Sequence, residues 1–159
     1  MPEVGEFFVV RTGGWAGWLI RTVTRSSVNH AGVYVGNGRI VEAEPHGARL
    51  GYADAYPDAI WSGAAITQGK GPEIQQAALK LLGTPYSWLD CAAIGLADIF
   101  GGHRLPLFIR RRIERTDRLM CSALVDYAYH LAGVQIYDDG RLFGDVSPGD
   151  LYDLNQKEN

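Results

Sequence analysis

The stretch from Val28 to Glu44 constrains this chain most. Val28-Asn29-His30-Ala31-Gly32-Val33-Tyr34-Val35 and Arg39-Ile40-Val41-Glu42-Ala43-Glu44 are two alternating, β-branched runs, and Gly36-Asn37-Gly38 lies between them. Asn-Gly between alternating runs is the strongest local signal for a β-hairpin, because both central residues of the favoured turn need a positive φ. A chain built on this hairpin has an antiparallel sheet. It also carries a histidine on one strand and carboxylates on the other.

The face each side chain takes depends on the turn. If the loop is the three residues Gly36-Asn37-Gly38, then His30, Gly32, Tyr34, Ile40, Glu42 and Glu44 share one face, while Ala31, Val33, Val35 and Val41 face a core. A strict two-residue Asn-Gly turn puts both carboxylates on the opposite face from His30. The sequence leaves the two registers open.

The remaining elements follow from periodicity and breakers. Glu6 to Arg11 reads as a strand ended by Thr12-Gly13-Gly14, and Trp15 to Thr24 as a short helix. Pro45 to Ser62 is loop-rich and holds His46, Tyr52, Tyr56 and Trp61, and Ile60 to Thr67 is expected to be another strand. Pro72 opens a helix running to about Leu82, with Ile74, Ala77, Ala78, Leu81 and Leu82 on one face and Gly83 as its stop. A second apolar helix is expected from Trp88 to Phe100. A third contains Cys121, is capped by Thr116 or Asp117 and ends at Gly133. Ser147 to Leu151 reads as a turn and a short extended piece. The fold class is α+β, a small antiparallel sheet packed against helices, and 159 residues make one domain, 1–159.

Composition narrows the function classes. With 47% hydrophobic and 21% charged residues the chain is globular, and a net charge of -3 argues against a general nucleic-acid binder. Arg104, Arg110, Arg111, Arg112, Arg115 and Arg118 form a basic segment. The plain account of it is a solvated helical face; the sharper one is contact with an anionic substrate or a membrane surface. Two cysteines make no disulfide framework, and no spacing suggests zinc. Met1 to Glu6 lacks the marks of a signal peptide and no apolar run is long enough to span a bilayer, so a cytoplasmic protein, or one exported by a signal-independent route, is expected.

Cys121 is the natural nucleophile. It falls in the first turn of its helix, where free backbone N–H groups and the helix dipole favour a thiolate and can hold an oxyanion. His30 would take and return the proton, with Glu42 or Glu44 orienting it. His130 is half a turn out of phase with Cys121 and points elsewhere. His46 and His103 are better explained as surface residues, and no cofactor or metal is called for.

Cys121-Ser122-Ala123-Leu124-Val125 with Tyr127-Ala128-Tyr129 and Ala132-Gly133-Val134 resembles the cysteine helix of the NlpC/P60 superfamily of papain-like cysteine hydrolases. His30 to Gly38 with Glu42-Ala43 resembles its histidine hairpin, and Gly5 to Val9 the strand before it. The histidine half comes first, as in the circularly permuted branch and its lecithin:retinol acyltransferase-like relatives. The resemblance implies a permuted papain-like fold and a catalytic triad of Cys121, His30 and Glu42, with Glu44 in reserve. It implies attack on an amide or ester through an acyl-enzyme, with a peptide or lipid-like acyl substrate. Leu82 to Cys91 also resembles the family's approach to its cysteine, which makes Cys91 the rival nucleophile, but Cys91 lacks the following Ser and Leu-Val. Tyr34, Tyr86, Trp15 and Trp18 are candidates to line a substrate site, though paired tryptophans more often pack in a core. The competing expectation is a binding or assembly module that keeps the fold without turnover.

Overall fold

A computed structural model describes residues 1–13, 27–44, 47–83, 119–139 and 146–158. Five strands form one sheet: β1 (Phe7–Val10), β2 (His30–Gly36), β3 (Arg39–Glu44), β4 (Gly47–Tyr52) and β5 (Ile60–Trp61). Their order is β4-β3-β2-β1-β5, with every pair antiparallel. Three helices are described, α1 (Gly71–Lys80), α2 (Leu119–Leu131) and α3 (Pro148–Glu158), giving an α+β architecture.

One face of the sheet makes the main core. Phe7 and Val9 of β1, Ala31, Val33 and Val35 of β2 and Val41 of β3 pack with Ile74, Ala77 and Ala78 of α1, Leu124, Val125, Ala128 and Tyr129 of α2 and Leu151 of α3. These residues alternate on the strands and recur at three- and four-residue spacing on the helices, so each element turns one side to this core. Tyr129 meets Phe7 edge-on and donates its buried hydroxyl to the Gly5 carbonyl at 2.7 Å, tying α2 to the start of β1. Phe8, Val10 and Ile40 point to the other face, where they form a second cluster with Tyr34, Tyr56 and Trp61. Among the described residues no helix is long and apolar enough to cross a membrane.

The hairpin resolves the open register in a way that combines both alternatives. Asn37 and Gly38 take φ of 53° and 70°, so the two-residue turn forms and Gly36 pairs with Arg39. The pairing then shifts between Tyr34 and Gly36, and Tyr34 faces Ile40. Val35 is thus the extra residue of a β-bulge, and the bulge restores the alternation that places Glu42 opposite Gly32, on the face of His30. Gly36 makes this possible with a φ of 85°, and a Cβ there would also come within 3.3 Å of Val4. Gly36→Ala is therefore expected to cost about 1–2 kcal/mol, read from the urea midpoint.

Three expectations are corrected. Gly47 to Tyr52, inside the stretch expected to be loop, is β4, paired with β3 from Glu44↔Gly47 to Arg39↔Tyr52. Two glycines and no β-branched residue hide it from propensity; the open edge of β3 imposes it. The strand expected over Ile60 to Thr67 is only Ile60–Trp61. Ser62 Oγ accepts from the Phe7 N–H at 3.2 Å, Gly63 turns away at a φ of 78°, and Ala64–Thr67 is a short 3-10 helix. The expected extended tail is α3: Ser147 Oγ accepts from the Asp150 N–H at 3.1 Å while Asp150 accepts from the Ser147 N–H at 2.8 Å, a reciprocal cap with proline at the first helical position.

The helix over Pro72 to Leu82 forms as α1, with Gly83 at a φ of 72° beyond its end, and the cysteine helix ends before Gly133 at 73°. The helices expected over Trp15 to Thr24 and Trp88 to Phe100, the caps Thr116 and Asp117, and the basic segment Arg104 to Arg118 lie outside the described residues.

Candidate active site

His30 is the first residue of β2, and the chain entering it is pinned. The Asn29 N–H donates to Val10 O at 3.1 Å, and the Asn29 side chain accepts from the Thr12 N–H at 2.8 Å and donates to Thr12 Oγ1 at 2.7 Å. His30 pairs with Val10 at the end of the sheet. Its ring stands edge-on to Phe8, with centroids 6.0 Å apart, and tilted against Tyr56 at 5.4 Å.

His30 Nε2 lies 2.7 Å from Oε2 of Glu42, which is only 1% exposed. The carboxylate is held at both oxygens. Tyr56 donates its hydroxyl to Oε2 at 2.7 Å; Arg49 donates Nε to Oε1 at 3.1 Å and brings Nη2 to 2.9 Å from it. Arg49 also reaches Glu44 at 2.6 Å. Of the two carboxylates that the sequence offered, Glu42 meets the imidazole and Glu44 serves the guanidinium.

Cys121 is a free, buried thiol in the first turn of α2, and it acts on the His30 ring by raising its titration. Because Glu42 occupies Nε2, the ring nitrogen left for the sulfur is Nδ1. Next to it, the buried Ser122 hydroxyl donates to Val146 O, fastening the start of the helix to the segment ahead of α3.

The charges follow from this packing. Burial alone would drive the His30 ring toward its neutral form. Interaction with Cys121 and Glu42, reinforced by the charges of both, outweighs burial and raises the ring from its ordinary 6.5 to about 10. Burial likewise opposes the Glu42 charge, but the hydrogen bonds of His30 and Tyr56 and the charges of His30 and Arg49 hold the carboxyl below its usual range. Burial and the neighbouring carboxylate push the Tyr56 hydroxyl well above its ordinary value, so it remains a donor. An imidazolium with its acid partner on one side and a thiol on the other can stabilise a thiolate and deliver a proton.

The other expected site residues fare differently. Tyr34 shares the His30 face but sits ~13 Å farther along the strand. Its hydroxyl accepts from the Gly38 N–H at 3.1 Å, and its ring meets Trp61 edge-on at 5.6 Å. His130 is exposed on α2 while Cys121 is buried. Trp15, Trp18, Tyr86, Cys91, His46 and His103 lie outside the described residues. Among the described residues no group of three His, Cys, Asp or Glu is arranged to hold a metal ion.

Sequence reasoning missed Arg49 and the role of Tyr56. Arg49 would have been found had β4 been recognised, since pairing it with β3 sets Arg49 opposite Glu42. The close fit of β4 also shows at Gly51, where a Cβ would stand 2.6 Å from Glu42 Oε1 and 3.2 Å from Ile40 Cγ1. Gly51→Ala is expected to cost about 1–2 kcal/mol and to lower the His30 titration as the carboxylate is pushed aside, measured by urea unfolding and by NMR of the ring.

Comparison of the chain with models of known protein families, with curated proteins and with solved structures finds no match.

Proposed function

We propose that this protein is a cysteine-dependent hydrolase or acyltransferase acting on amide or ester bonds. The observation that carries the reading is the His30 ring, bonded at Nε2 to the buried Glu42 and held protonated by Glu42 and Cys121 together. A structural cysteine has no need of an oriented imidazole, whereas an activated nucleophile requires one.

In the reaction the Cys121 thiolate, whose proton the His30 imidazolium already holds, attacks the carbonyl carbon through Sγ. The carbon–nitrogen or carbon–oxygen bond breaks, and His30 returns the proton to the leaving group. Water or another acceptor then attacks the thioester, giving its proton to His30. The carbon–sulfur bond breaks, and the thiolate leaves beside the protonated His30. Glu42 holds the tautomer that donates Nε2–H and faces the charge on the ring. Backbone N–H groups of the first turn of α2, that of Cys121 among them, serve the oxyanion.

The histidine hairpin ahead of the cysteine helix, and the packing of α2 against β2 and β3, support a permuted papain-like fold of the kind that the NlpC/P60 resemblance implies. A peptide or lipid-like acyl group is the substrate class consistent with that reading, and no cofactor enters it.

The test is the rate of iodoacetamide alkylation against pH, with mass spectrometry separating Cys121 from Cys91, in the wild type and in His30→Ala. Cys121 is expected to react rapidly at pH 6–7 and to lose about tenfold or more of that rate without His30. A fast Cys91 would move the nucleophile there. Two slow thiols would leave a binding module as the better reading.

A further inference from the structure

We infer that Tyr56 is a positioning residue for His30, acting through Glu42: its hydroxyl locks the carboxylate while its ring walls the imidazole. The inference rests on the cysteine-enzyme reading and names a fourth participant in the same site. A carboxylate against a histidine strand is free to turn about its last two torsions unless something fixes it. Here Oε2 accepts from both His30 and Tyr56 at 2.7 Å, and the Arg49 guanidinium takes Oε1. The two sides are not equivalent. The Arg49 side chain is 54% exposed and shared with Glu44, so solvent and the second carboxylate weaken its hold. Tyr56 is half-buried, and its bond goes to the oxygen that His30 uses.

The ring does a second job. Tyr56 stacks on Phe8 with centroids 5.3 Å apart at 28°, and Phe8 in turn meets His30 edge-on. Phe8 and Tyr56 thus flank the imidazole, and the same tyrosine that orients its acid limits its tilt. Tyr56 is held in place from its own loop, where its N–H donates to Ala53 O at 3.1 Å and the Ala59 N–H donates to its carbonyl at 3.1 Å. Among the described residues, the titratable and charged groups facing the pair are Cys121 from α2, Arg49 from β4, Glu44 from β3 and Tyr56 itself.

Positioning and simple competition for Oε2 predict opposite results. If Tyr56 orients the carboxylate, removing the hydroxyl loosens the His30–Glu42 bond and the ring titrates lower. If Tyr56 only competes with His30 for the oxygen, removing it strengthens that bond and the ring titrates higher. Tyr56→Phe keeps the ring wall and removes the hydroxyl, so the protein should fold as before.

The experiment follows the His30 ring by NMR, assigned against His30→Ala, together with the pH profile of Cys121 alkylation in the wild type, Tyr56→Phe, Glu42→Gln and the double variant. Tyr56→Phe is expected to lower the His30 titration and to slow alkylation at pH 6–7 by on the order of tenfold. In the Glu42→Gln background it should add little, because the route runs through Glu42. An unchanged or raised His30 titration in Tyr56→Phe, or an effect that adds in full to that of Glu42→Gln, overturns the inference. If His30→Ala leaves alkylation unchanged the hydrolase reading falls, while the ring titration still decides what Tyr56 does.

Discussion

Glu42→Ala should destabilise the protein by about 3 kcal/mol at neutral pH, more than any nearby surface substitution, because it removes one partner of a buried ion pair. The carboxylate accepts from three side chains, His30, Tyr56 and Arg49, and is almost wholly out of solvent. Their losses differ. Arg49 keeps Glu44 at 2.6 Å and faces water, so it gives up little. The Tyr56 hydroxyl loses its acceptor, and the His30 ring, with a side chain only 13% exposed, loses the charge that balances its own. The ring answers by shedding its proton, which limits the cost but returns its titration toward the ordinary range. Urea unfolding measures the first effect and NMR titration of the ring the second. Glu42→Gln, which keeps the volume and one acceptor, should lose roughly half as much. If Glu42→Ala unfolds at the wild-type urea midpoint, the pair contributes nothing net to the fold.

The second large effect is the dependence of stability on pH. His30 titrates at about 10 in the folded protein against an ordinary 6.5, so the folded state holds the proton more tightly. Its contribution is fully present below about 6.5, shrinks as pH rises, and is gone once pH passes about 10. Glu42 acts in the opposite sense. Its carboxyl is lowered from an ordinary 4.5, so its contribution is present above that value and is lost as pH falls below it. Stability should therefore be greatest between about 4.5 and 6.5 and decline on both sides. The shift from 6.5 to about 10 bounds the alkaline loss at about 5 kcal/mol. Urea midpoints taken from pH 4 to pH 10 should fall on the alkaline side in the wild type and flatten in His30→Gln. An alkaline slope that survives in His30→Gln would assign it to other groups.

Stability and chemistry are thus linked at one point. The groups of the proposed site depend on one another, and the fold assembles them from several elements: β2 supplies His30, β3 Glu42, β4 Arg49, the loop before β5 Tyr56 and α2 Cys121. Asn155 of α3 donates to Trp61 O at 2.9 Å, so even the last helix helps to hold the strand that borders this face.

The sequence by itself determined whatever depends on nearest neighbours along the chain. Asn37-Gly38 had to turn because its residues accept positive φ, Pro72 and Gly83 bracket α1, and the alternation of Ala31, Val33 and Val35 settled which side of β2 is buried. Ser147 and Asp150 read as a turn before an extended piece rather than as a helix cap, since Pro148 suits a loop as well as a first helical turn. The tertiary structure alone decided the register, because the single extra residue at Val35 reverses the face of Glu42 and its bulge depends on Gly36 fitting against Val4. It also decided β4, whose weak local preference is overridden by the unpaired edge of β3. With β4 came Arg49 and Gly51, and with the returning chain came Tyr56. Contacts across strands depend on pairing between segments that are distant in sequence, and local pattern carries no record of them.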